Sequence, residues 1–187
     1  MKSLGVLGAA ALVMTIGAAN AAERRGLDAH EHGHGALNIA IEGQTVAMEL
    51  EVPGADIVGF EHPAESAADR AKIDAAVAVL AEPQKLFLFP TAAECVVAQV
   101  DVALVGEDEA HHGEAHADDH EAEAHTEFHA EYTLTCAAPS RLDRIDFVYF
   151  EAFPNAEEPE VQLITDRGSR GFEVERDTPS LDLSGMT

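Results

Sequence analysis

Residues 107–131 read EDEAHHGEAHADDHEAEAHTEFHAE: six histidines (His111, His112, His116, His120, His125 and His129) among ten carboxylates, with no Lys or Arg. Neutral imidazole is a ligand for Zn, Cu and Ni, and carboxylates add charge and oxygen donors. Such a set makes a reservoir for a divalent cation, with zinc the first candidate. His112, His116 and His120 recur every four residues, as do His125 and His129. Residues four apart are neighbours on one helix face, so a metal can hold a nascent helix there. Without metal the negative charges repel, and the segment 107–127 is expected to be a disordered loop that orders on binding. His129 is the exception, because it lies where strand alternation resumes. A solubilising acidic insertion with incidental histidines is the plainer reading, and the density of histidines weighs against it.

A second cluster stands near the start, at His30, Glu31, His32, Gly33 and His34. It contains the HExxH pattern of zinc proteases, which requires both histidines on one helix face with the Glu as base. Gly33 and Gly35 each weaken a helix by about 1 kcal/mol, and strand alternation begins at once, so the protease reading is rejected. In an extended chain His30, His32 and His34 share one side, ~7 Å apart along the strand. Two such imidazoles can converge on one zinc ion, and a bend at Gly33 would bring in the third. The alternative is a solvated terminus that binds metal only as a tag does. His62, between Glu61 and Pro63, is sterically fixed and can complete a tetrahedral set with these histidines. A lone histidine in such a place is more often a packed residue. Both ligand sets must be deprotonated, so affinity should fall as pH drops through the histidine range near ~6.5. Surrounding acid favours protonated imidazole and should start that loss at higher pH.

No nucleophile–base pairing, phosphate-cradling glycine loop or serine elbow accompanies these clusters, and an enzyme is not expected. The net charge of −24 excludes nucleic acid, whose phosphates need clustered Lys and Arg, and it disfavours anionic membrane surfaces. Cations are the partners it favours. An acidic docking module with incidental metal binding is the rival outside the metal-handling class. Copper or nickel is the rival within it, since Cu(II) outranks Zn at most such sites.

The first 22 residues read as a signal peptide: Lys2, an apolar run over 4–18, and the small residues Ala19-Asn20-Ala21. The run is too short to span a bilayer, which takes ~20 residues. Cleavage is expected near Ala21 or Ala22, leaving a single exported domain over 23–187 with no later membrane insertion. In an oxidising compartment the two cysteines, Cys95 and Cys136, are expected to form a disulfide. That bond should staple the two feet of the histidine-rich loop.

The elements that must position these groups follow from periodicity. Alternation over 37–42 and 46–52, split by Gly43-Gln44, predicts an antiparallel hairpin. Residues 64–80 predict the main helix, with Ser66 and Asp69 at its start, Ile73, Val77 and Leu80 on its apolar side, and Pro83 as its stop. Strands are predicted at 86–89, 95–105, 128–136, 145–150 and 161–165, and a frayed tail from Asp177. The sum is an α+β fold: a mostly antiparallel sheet of about seven or eight strands with one main helix.

Three stretches carry a resemblance to a known family. HEHGHGALNIAIEGQTVAMELEVPGADIVGFEH over 30–62 resembles the opening of ZrgA-like proteins, zinc-regulated periplasmic zinc-binding proteins. So do the cysteines flanking a His- and acid-rich loop, and FEAFPNAEEPEVQLITDRGSRG over 150–171. The resemblance implies a periplasmic accessory to high-affinity zinc import. It would serve an ABC-type importer whose own solute-binding protein delivers the metal. It places His30, His32, His34 and His62 on the family's motif, and the loop histidines only as a class.

Overall fold

The structure, a computed structural model, describes residues 33–106 and 125–187. The expected signal peptide and His30, Glu31 and His32 lie outside the described residues, as do His111, His112, His116 and His120. So does the expected loop, except for its last residues.

The hairpin forms as its alternation predicts. Strands β1 (His34–Glu42) and β2 (Thr45–Pro53) pair in antiparallel register from Ala36 opposite Glu51 to Glu42 opposite Thr45. Gly43 supplies the positive φ, 57°, that the two-residue turn needs. The longest ladder joins β4 (Cys95–Gly106) to β5 (Thr126–Cys136), from Cys95 opposite Cys136 to Gly106 opposite Thr126, with a bulge between Val97 and Gln99. β5 also pairs with β2, and β1 pairs in parallel with β7 (Glu158–Thr165), which turns back into β8 (Gly168–Glu173). The resulting six-stranded sheet has the order β4-β5-β2-β1-β7-β8.

One face of this sheet is buried through Leu37, Ile39, Met48, Leu50, Phe128, Tyr132, Leu134, Val161 and Leu163. Against it packs a three-stranded sheet of β3 (Phe87–Leu88), β6 (Arg144–Phe147) and β9 (Ser180–Asp182). Phe87 forms the seam, edge-on to Tyr132 and Phe147 and stacked on Tyr149. The main helix is α2 (Ala67–Leu80), whose buried Ala76 and Leu80 and half-buried Ile73 and Val77 join the same core. The expected α+β class is what forms, with nine strands among the described residues rather than seven or eight. No helix among them is long and apolar enough to cross a membrane.

The start of α2 is a capping box. Asp69 N donates to Ser66 Oγ at 3.0 Å, and Ser66 N donates to the Asp69 carboxylate at 3.3 Å. The Ser66 hydroxyl bond holds the Asp69 carboxyl below its usual range. That contribution is present above the ordinary carboxylate pKa near ~4 and is lost as pH falls through the lowered native value. Ser66→Ala should cost about 1 kcal/mol in urea denaturation at neutral pH, and the difference from wild type should shrink in acid.

Four expectations need correction. The strand expected at 86–89 shrinks to β3, because Pro83 opens the short helix α3 (Pro83–Leu86) at its first position, where a missing N–H costs nothing. Leu88 is correspondingly 43% exposed. The strand expected at 145–150 ends at Phe147 and gives way to the helical turn α4 (Tyr149–Ala152). The tail is not frayed: β9 pairs with β6, and Leu181 and Leu183 are buried. Finally, the expected Cys95–Cys136 disulfide is present, but at the wrong end to staple the loop. The loop leaves from Gly106 and returns at Thr126, eleven residues up β4 and ten up β5, roughly 35 Å away at ~3.3 Å per residue.

Candidate metal centre

At the opposite end of the sheet from the disulfide, four segments meet: the start of β1, the end of β2, the stretch Phe60-Glu61-His62, and the start of β5. Their meeting depends on Gly54, the first residue of the short helix α1 (Gly54–Val58). A Cβ there would fall 2.7 Å from both Phe60 O and Thr126 Oγ1. Thr126 N donates to Glu61 O at 3.0 Å, tying the His62 segment directly to the strand that follows His125.

His34, the last residue of the HExxH pattern, opens β1, and Gly33 before it is in a turn. Its backbone is set by Gly33, whose N–H donates to Asp56 Oδ1 at 2.8 Å and whose carbonyl accepts from Glu157 N and Glu158 N, both at 2.8 Å. Gly33 adopts a φ of 91°, which glycine tolerates. Asp56 is only 2% exposed. Burial first, and then the Asp56 charge, push the neighbouring Tyr149 hydroxyl well above its ordinary range. The His34 ring faces solvent with Nδ1 3.9 Å from Glu158 Oε1.

The other described histidines each place one ring nitrogen against an oxygen that can only accept. His62 stacks on Phe60 with ring centroids 4.6 Å apart, and its Nδ1 is 3.0 Å from Pro63 O. A carbonyl accepts, so Nδ1 carries the proton and Nε2 keeps its lone pair. His125 Nδ1 hydrogen-bonds the Glu61 carboxylate. His129 Nε2 lies 2.9 Å from Glu127 Oε2, which leaves Nδ1 as the ring nitrogen that does not face this carboxylate. Metal-ligating histidines are oriented in this way by carboxylates and carbonyls behind them.

His129 lies on β5 as alternation predicts, on the solvent side of the sheet, with Glu51 opposite it across β2. The solvent side also carries Glu49, Glu127, Glu131, Glu158 and Glu160. Strands β1, β2, β4, β5 and β7 contain no Lys or Arg. This sets a negative field over the end where the histidines stand. Among the described residues, no three His, Cys, Asp or Glu side chains converge closely enough to hold an ion. The fold therefore brings His62 and His125 onto adjoining segments and His34 and His129 onto one face, without closing a site from these four alone.

Sequence reasoning singled out the imidazoles and missed the groups that orient them. Asp56, Glu127 and Glu158 carried no motif. Glu61 was visible only as the neighbour of His62, since its contact with His125 spans 64 positions.

A search of curated proteins found no match. A family model described as ZrgA family zinc uptake protein matches residues 29–183, well over half of the 187-residue chain. Zinc handling and a part in zinc uptake, rather than catalysis, follow from that match. The chain belongs to the ZrgA family of zinc uptake proteins.

Proposed function

We propose that the protein captures zinc in the periplasm and assists an ABC-type importer, whose solute-binding protein would be its partner. In this reading the mature chain, 23–187, is a single metal-binding domain freed of a signal peptide. A more ordered site uses His30, His32 and His34 with His62. His111, His112, His116, His120, His125 and His129 collect further ions. Copper and nickel suit the same donors in vitro, and membership of a zinc uptake family favours zinc.

The observation that carries this reading is the gathering of candidate ligands at one end of the sheet. Residues 33, 106 and 125 all lie at one end of the sheet, the end at which His34, His62, His125 and His129 stand. The position of His129 on β5, and of His125 just before it, supports treating them as the fixed foot of the collector.

Zinc stoichiometry and affinity at neutral pH, by competition titration, test the reading. The informative variant replaces 107–124 by a short Gly-Ser linker, which retains His125 and leaves room for Thr126 to stay paired with Gly106. It should leave one tight site and remove several weaker ones. Loss of the tight site with the segment would instead make the segment the binding element and the N-terminal histidines a solvated tail.

A further inference from the structure

We infer that Glu61 is the positioning residue for His125: it fixes that imidazole in the one tautomer that presents Nε2 to zinc. This rests on the reading of His125 as a ligand and adds what prepares it.

The geometry is specific. Glu61 lies in the link between α1 and α2, and its side chain is only 11% exposed, whereas that of His125 is 42% exposed. The carboxylate Oε2 meets His125 Nδ1. A carboxylate oxygen accepts this bond, so the hydrogen lies on Nδ1 and the lone pair on Nε2. The backbone holds the pair from behind, because Glu61 O accepts from Thr126 N. Glu61 therefore grips the residue after His125 through its main chain and His125 itself through its side chain. An imidazole at the end of a long acidic segment would otherwise sample both tautomers and many rotamers. Here it meets an ion with ring and tautomer already chosen, and the carboxylate behind the ring raises the basicity of Nε2. The described fold does the same for His62 with a backbone carbonyl, a weaker acceptor that no side-chain change can remove.

The test uses the full chain with zinc, in the variants Glu61→Ala, Glu61→Gln, His125→Ala and Glu61→Ala/His125→Ala. Glu61→Ala should weaken the affected site about tenfold to a hundredfold. Glu61→Gln, which keeps the shape and an acceptor oxygen, should weaken it less. The double variant should bind within about twofold of His125→Ala, since a positioning residue has nothing left to position. Ring nitrogen shifts of His125 in the metal-free protein should show one tautomer in wild type and a mixture in Glu61→Ala, a change that a merely structural role would not produce. The inference is overturned if the tautomer is unchanged. It is equally overturned if Glu61→Ala imposes its full loss on top of His125→Ala, which would make Glu61 a ligand itself. If His125→Ala binds zinc as wild type does, the ligand reading fails first, and the inference falls with it.

Discussion

Arg176→Ala should be the most damaging single substitution outside the hydrophobic core, lowering stability by about 3 kcal/mol. The guanidinium is folded into the segment 150–156. Nη1 donates to Phe150 O at 2.9 Å, Nη2 donates to Phe153 O at 3.1 Å and Pro154 O at 2.9 Å, and Ala156 O accepts as well. Its face covers the Phe150 ring at 5.2 Å. Four carbonyls thus point at one cation, and alanine leaves the partly buried ones without a donor. Hydrogen bonds to a charged group are each worth more than neutral ones, and an orphaned buried acceptor bears its full desolvation cost. Arg176→Lys should recover little, because a point charge cannot reproduce the planar fork.

The consequence reaches the candidate metal site. Asn155 Nδ2 donates to Ala55 O, and Glu157 N and Glu158 N hold Gly33 O beside His34. Loosening 150–156 should therefore weaken zinc binding as well as lower the melting temperature, by roughly 10 °C for a domain of this size. Thermal unfolding and zinc competition on the same sample check both. Unfolding unchanged within 2 °C of wild type would show that solvent replaces the guanidinium without loss.

The parts of this fold that were legible in the sequence are those set by neighbours in the chain. Alternation over Leu37, Ile39 and Ile41, then Val46, Met48 and Leu50, fixes which face is buried, and Gly43 fixes the turn between them. Ser66 and Asp69 announce a helix start because the capping box closes within four residues. What escaped depends on partners far along the chain. The parallel pairing of β1 with β7 leaves no mark on either strand, since period-two alternation serves parallel and antiparallel neighbours alike. The tail reads as polar and short, yet Leu181 finds Ile145 across the ladder of the second sheet. In the candidate site, histidine density was legible and the carboxylates behind the rings were not. Glu61 meets His125 only because Thr126 and Gly54 close the end of the sheet.

Replacing both cysteines by alanine should separate stability from zinc binding. The disulfide joins residues 41 apart, and in the chain-entropy model its loss costs roughly 3–4 kcal/mol. Alanine is the better replacement than serine, because Cys136 is fully buried and a hydroxyl there would need a partner. If the bond stapled the histidine-rich segment, removing it would also weaken zinc. The register says otherwise: the segment departs at the Gly106–Thr126 pair, and nearly the whole β4–β5 ladder stands between that pair and the sulfurs. β5 is further held by its pairing with β2 from Thr45 opposite Thr135 to Pro53 opposite Glu127. Glu127 and His129 are therefore fixed by strands that do not need the bond. The double variant should unfold roughly 10 °C lower and still bind zinc within about twofold of wild type below that temperature. A tenfold loss of zinc affinity in protein that is still folded would mean that strain at the sulfur end reaches the metal end. In that case β4 and β5 slide as a unit, and the disulfide sets their register.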